Sequence, residues 1–314
     1  MIKNPYWGKD FFSFFSLFFQ RLFTGEVFTG DLASDEVQMF VLMLIAAATS
    51  IVGTFLVLKK MTMLANSLSH TLLLGLVAAF IIIQPLSWEE GLNFSTLLIA
   101  SLVAGLATTF LTDGLTRYLR VQEDASIGLV FTTLFALSIV LVTVFTKNVH
   151  LGIEAVMGNV DALHKEDLKL IFGIALGDLL VVSLFFKELK IVAFDPGLAS
   201  SQGISPNFFN ALLMILTAAT SIGAFRAVGV LLVLAFLVGL PLTARLLTHR
   251  LHLLIPLAAG IGVLCSLVAV ALSRHFLSVY QVPLSTAGLV TMTIALAYVI
   301  SLSLSRCSGK GKTV

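Results

Sequence analysis

Nine runs of about 20 apolar residues follow one another along this 314-residue chain, at about 37–58, 62–83, 94–112, 125–145, 168–186, 208–225, 227–247, 251–272 and 284–304. A helix rises about 1.5 Å per residue, so each run matches the roughly 30 Å hydrocarbon core of a bilayer. One such run could be a buried helix of a soluble domain. Nine in series cannot, because only 11% of residues are charged while 58% are hydrophobic. A water-facing surface needs charge at about a quarter of positions. The expected fold is all-α, a polytopic membrane bundle of about nine helices. The number falls to eight if Gly223-Ala224-Phe225-Arg226-Ala227 is a kink inside a re-entrant segment.

Three parts are expected: an N-terminal arm (1–35), a transmembrane domain (36–305) and a polar tail (306–314). In the arm, Phe11-Phe12-Ser13-Phe14-Phe15-Ser16-Leu17-Phe18-Phe19 is too short to span and lacks the order of a cleaved signal peptide. It reads as an interfacial helix ending near Gln20-Arg21, or as a half-span packed on the bundle. Placing alternate loops on one side, starting from Lys59-Lys60, gathers eleven of the 19 Lys and Arg there, against five in the opposite loops and three in the arm. The Lys59, Arg117, Lys187 and Arg245 loops and the tail are therefore assigned to the cytoplasm, and the arm to the outside. Cys265 lies in an apolar run and Cys307 in the polar tail, which disfavours a disulfide, and neither belongs to a metal-type pair. Basic stripes with interleaved aromatics are missing, which argues against nucleic acid. So is G-x-x-x-x-G-K-[ST], so any ATP would be bound by another chain. H-E-x-x-H and G-x-S-x-G are missing too, which leaves protease and esterase readings without their motifs.

The stretch Leu56-Val57-Leu58-Lys59-Lys60-Met61-Thr62-Met63-Leu64-Ala65-Asn66-Ser67-Leu68-Ser69-His70 joins the first two runs by a basic turn. Met63, Asn66 and His70 recur at spacings of three and four, which puts them on one helical face. At about 1.5 Å per residue, His70 lies roughly 13 Å from the cytoplasmic end, near mid-membrane. Imidazole nitrogen and amide oxygen suit divalent manganese, iron or zinc, so His70 and Asn66 are candidate metal ligands on a pathway. They equally suit interhelical hydrogen bonding.

Between the fifth and sixth runs the sequence writes a short capped helix at Pro196–Gln202. Asp195 is an N-cap, Pro196 fits the first position, Gly203 is a left-handed stop and Pro206 prevents continuation. Many membrane loops contain a capped turn, but the tight start and stop here favour a rigid cytoplasmic knob suited to docking, with Gly197, Leu198 and Ala199 inside it. Two further positions are candidates for a pathway or gate. Asp178 is an acid in mid-span that needs a partner or a cavity. Pro241 must kink or locally open its helix and free a carbonyl, as a gating hinge or, more commonly, a static packing kink. The largest outer loop, 147–167, carries His150, Glu154, Asp161, His164, Glu166 and Asp167, which could pass on a cation or simply be solvated.

These pieces resemble the permease family of bacterial ABC importers for manganese, zinc and iron, over about 41–304. The family's L-V-L-R-R-M-A-L-x-G-D-A-L-S-H is matched by Leu56 to His70. Its E-D-A-x-I-G-x-V-F is matched by Glu123-Asp124-Ala125-Ser126-Ile127-Gly128-Leu129-Val130-Phe131. Its F-D-P-E-F-A-x-x-x-G coupling segment is matched by Phe194 to Gly203, with Gly197 in place of Glu. Its V-G-x-L-L-V-x-A-x-L-x-x-P-x-x-T-A-R-L-L is matched by Val228 to Leu247, with the proline one position later, at Pro241. The resemblance implies paired permeases in the inner membrane, the second copy being the same or a similar chain. It also implies two ATPase subunits docked on the coupling helices and an extracytoplasmic protein that delivers the metal. The metal is then cargo, and no cofactor is held permanently. The second-span His and the residue one turn before it would help form the metal path. That residue is usually Asp and here is Asn66, which suggests that a similar partner permease keeps the acid. The competing reading is a proton-coupled secondary metal transporter with His70 and Asp178 as relays. The capped cytoplasmic helix favours the ATP-driven one.

Overall fold

A computed structural model describes residues 5–24, 32–83, 94–146 and 160–307, a few of them, His70 included, as backbone only. The described residues form helices and no strands. These are α1 (Phe11–Thr24), α2 (Ser34–Leu58), α3 (Thr62–Ile83), α4 (Phe94–Tyr118), α5 (Glu123–Leu141), α6 (Lys165–Leu184), α7 (Phe186–Phe194), α8 (Pro196–Ser201), α9 (Pro206–Val228), α10 (Val230–Leu247), α11 (Leu251–His275) and α12 (Thr286–Cys307).

Six helices among the described residues are long and apolar enough to cross a membrane. A seventh is added if α6 and α7, bent by 74° at Phe185, make one span. The chain is thus a multi-pass membrane protein. The two other expected spans, α3 and α4, are also helical.

The bundle is built around α2. Of its apolar window 78% is buried, against 17% for the helix Ala125–Val144 and for Thr286–Arg306. Helix α2 packs against α6, α9, α10 and α11. Small residues make the approach close. A β-carbon on Gly262 of α11 would stand 2.8 Å from Ala46 Cβ and 2.5 Å from a Leu240 methyl carbon. Several buried threonine hydroxyls in these apolar helices bond to their own backbone, as Thr49 does to Ile45 O (2.6 Å) and Thr54 to Ser50 O (2.7 Å). That is how a polar side chain is satisfied where no water reaches.

The chain ends of α2 define two ends of the molecule. At the Glu36 end, the arm is folded onto the bundle. Helix α1 buries Phe14 and Phe18, contacts α11 and leaves Phe12 and Phe23 exposed. It runs to Thr24, a few residues past its expected end. At the Lys59 end, Lys60 takes a left-handed conformation (φ 59°). Met61 N–H donates to Leu56 O (2.9 Å) and Lys60 N–H to Val57 O (3.2 Å). This paired closure satisfies the last carbonyls of α2 and turns the chain into α3.

The joint expected at 223–227 lies elsewhere. Helix α9 continues to Val228 and the break falls at Gly229, with φ 80° and ψ 165°. That region of backbone space is essentially closed to residues with a β-carbon. Gly223 is helical instead, and Ile174 occupies the space its side chain would need.

Candidate functional site

Asn66 and His70 lie one turn apart on α3, as the spacing required. Asn66 is half-buried; the side chain of His70 falls outside the described residues. The turn before them is tied to α9, because Lys59 Nζ donates to Asn210 Oδ1. Asn210 lies one turn into α9, which follows the short helix α8 directly. A continuous path of covalent and hydrogen bonds therefore joins α8, the start of α9, the Lys59 turn and α3.

Helix α8 spans Pro196–Ser201, with Gln202 closing it one residue earlier than the sequence suggested. The Asp195 carboxylate accepts from Gly197 N–H (2.9 Å) and Leu198 N–H (3.0 Å). At the other end Gly203 has φ 77°. Gly203 N–H donates to Ser200 O (3.1 Å) and Ile204 N–H to Ala199 O (3.0 Å). Both ends are thus closed, and the helix is rigid despite its six residues. It rests on the bundle through Ala199 alone, while Asp195, Pro196, Gly197 and Leu198 are exposed.

Asp178 and Pro241 occupy different settings. Asp178 is buried in α6 and accepts from Thr220 Oγ1 of α9 (2.7 Å). Thr220 Oγ1 is also 2.7 Å from Leu216 O, so one hydroxyl hydrogen serves two acceptors. The acid has the partner that its burial demands. Pro241 cannot return an N–H to the Leu237 carbonyl four residues back. The helix widens over Ala235–Gly239 into a π-type turn. The Leu237 carbonyl faces α2, where a β-carbon on Gly53 would stand 2.1 Å from its oxygen. The proline therefore creates a local widening that only a glycine on α2 accommodates.

The outer-loop candidates separate. His150 and Glu154 lie outside the described residues. Asp167 caps α6 by accepting from His164 N–H (3.0 Å). Asp161 accepts from Gln38 Nε2 (2.9 Å) and Thr286 Oγ1 (2.6 Å), tying its turn to α2 and α12. Among the described residues, no three His, Cys, Asp or Glu side chains are grouped to hold a metal.

Sequence reasoning passed over the acids at the head of α2. Glu36 is fully buried and accepts from Tyr6 OH (2.7 Å), Arg21 Nε (2.7 Å) and Ala33 N–H (2.8 Å). Asp35, also buried, is paired with Arg274. The available signal was an adjacent acid pair directly before the first apolar run, on the side where Arg21 and Arg274 were also assigned.

The comparisons with known proteins agree in direction. The model of the ABC 3 transport family matches residues 37–305. A probable metal transport system membrane protein of Chlamydia muridarum is 42% identical over 304 residues, covering 96% of this chain and 94% of the relative. The manganese transport system membrane protein MntD of Bacillus subtilis is 37% identical, covering 70% and 76%. The solved structure of PsaBC from Streptococcus pneumoniae in complex with Fab has a chain that superposes with a TM-score of 0.71 at 26% identity, covering 88% of this chain and 95% of that one. A family model that spans nearly the whole helical bundle identifies this chain as a member of the ABC 3 transport family.

Proposed function

We propose that this chain is the membrane permease subunit of an ATP-binding cassette importer that carries divalent manganese, iron or zinc into the cytoplasm. The observation that carries the reading is α8: a helix closed at both ends, held to the bundle by one buried residue, with Leu198 projecting outward. ATP hydrolysis then resides on separate ATPase subunits, which dock on Asp195, Pro196, Gly197, Leu198, Ala199 and Gly203. The Lys59 end is the cytoplasmic one, in keeping with the excess of Lys and Arg in its loops. The membrane is the bacterial inner membrane, and α3 and α4 complete a set of about nine spans.

In this reading, His70 and Asn66 line the metal path on α3. A neutral imidazole and an amide oxygen accept all three metals. Displacement of α8 by the ATPase is passed through α9 and the Lys59–Asn210 contact to α3. Asp178 and Pro241 act at the helix contacts that must slip as the path opens, Asp178 against Thr220 and the Pro241 turn against Gly53. An amide lacks the charge of a carboxylate, so Asn66 is matched with a similar permease that supplies an acid. An extracytoplasmic metal-binding protein delivers the cargo at the Glu36 end.

The test is ATP-dependent uptake of radioactive manganese, iron and zinc by proteoliposomes holding the complete complex. Uptake of one of these metals that requires ATP and the ATPase subunit is expected. Uptake that persists without the ATPase and follows a proton gradient would refute the proposal. A fully active assembly containing two copies of this chain and no second permease would refute the asymmetric pairing.

A further inference from the structure

At the Lys59 end, beside α8, lies a half-open cleft of about 380 Å³ lined by Phe186, Lys190, Phe194, His249, Arg250, Leu251 and His252. Phe186, Lys190 and Phe194 recur every four residues on α7, so they share one face. The opposite wall is the loop into α11 and that helix's first turn. Lys190, His249, Arg250 and His252 are exposed, and among the described residues their side chains have no hydrogen-bond or ionic partner. Among the described residues, no carboxylate lines the cleft. The first N–H groups of a helix have no partner within it, so Leu251 and His252 add to a field that favours an anion.

We infer that this cleft binds the phosphate headgroup of an anionic phospholipid. Three observations select a lipid. The cations share the cleft with two phenyl rings and Leu251, an apolar wall that a free phosphate or a protein carboxylate does not need. The cleft opens where α11, a helix of spanning length, begins, which is the depth of the lipid phosphates. Helix α7 leaves the span direction by 74° just before it, and so holds Lys190 and Phe194 over the helix end. Basic pockets between helix ends at a cytoplasmic face suit such headgroups. The inference needs only a membrane-spanning chain, not metal transport. The site abuts the N-cap of α8, so a bound lipid would brace the proposed docking helix from behind.

The experiment is native mass spectrometry of the full chain, purified in detergent and titrated with phosphatidylglycerol, phosphatidylethanolamine or inorganic phosphate. The expected result is one tightly retained phosphatidylglycerol. Its affinity should fall about 30-fold in Lys190→Ala/Arg250→Ala, from roughly one decade or less per lost cation, and recover in Lys190→Arg/Arg250→Lys. Equal retention of phosphatidylethanolamine by the unaltered chain would overturn the inference without any variant. So would displacement of the lipid by millimolar inorganic phosphate. Unchanged lipid affinity in the alanine variant, with loss of ATPase co-purification, would also overturn it and make the cleft a protein-docking surface.

Discussion

At the Glu36 end of the bundle, Asp35, Glu36, Asp161 and Asp167 all accept hydrogen bonds from within the chain. At the Lys59 end, Lys190, His249, Arg250 and His252 line a cleft, and Leu198 projects from a helix that buries only Ala199. The two ends are closed by different means. The first end is held by ion pairs between distant segments, such as Arg274 with Asp35 and Arg21 with Glu36. The second adds to one contact between distant segments, Lys59 with Asn210, local backbone closures at Lys60, Asp195 and Gly203, which leave side chains outward. Long-range satisfaction marks a surface the chain completes by itself. Local closure with projecting side chains marks a surface preorganised for something else to complete.

Four substitutions probe that contrast. Arg274→Ala removes the cation paired with buried Asp35 and should destabilise the protein by about 3–5 kcal/mol. This is read as a lower melting temperature in detergent, with ATPase binding by the folded fraction unchanged. Gly53→Ala drives a β-carbon into the Leu237 carbonyl and should cost about 1–3 kcal/mol by overpacking. A wild-type melting curve there would mean that the widened turn yields freely. Thr220→Val leaves Asp178 without its hydroxyl partner and should cost on the order of 1–2 kcal/mol, measured in the same assay. Asp195→Ala removes only a helix cap, at about 1 kcal/mol, and should scarcely move global melting while weakening ATPase co-purification. If Asp195→Ala melted as early as Arg274→Ala, or Arg274→Ala lost the ATPase, the two ends would not differ as described.

The sequence carries some of these features openly. Apolar run length located the helices, because one long helix satisfies its own backbone in lipid and needs no partner to be recognised. The α8 helix was legible to within a residue, since Asp195, Pro196 and Gly203 act on neighbours two to six positions away. The pairing of Asp35 with Arg274 was not, because 239 residues separate them and only folding brings them together. The break between α9 and α10 was misplaced by a few residues for a related reason. Gly223 and Gly229 look alike in the chain, yet the first is helical with Ile174 packed against it and the second takes φ 80°. Pro241 announced a disturbed helix, yet nothing local named Gly53 as the residue that receives the displaced carbonyl.

The central claim is that α3 carries the metal path and that the Lys59 end couples it to ATP. It is tested most directly by ATP-driven metal uptake in proteoliposomes containing the complete complex with His70→Ala. The account predicts uptake at the ATP-free background, with the ATPase still co-purifying and the melting temperature unchanged. Uptake at the wild-type rate by this variant would contradict it.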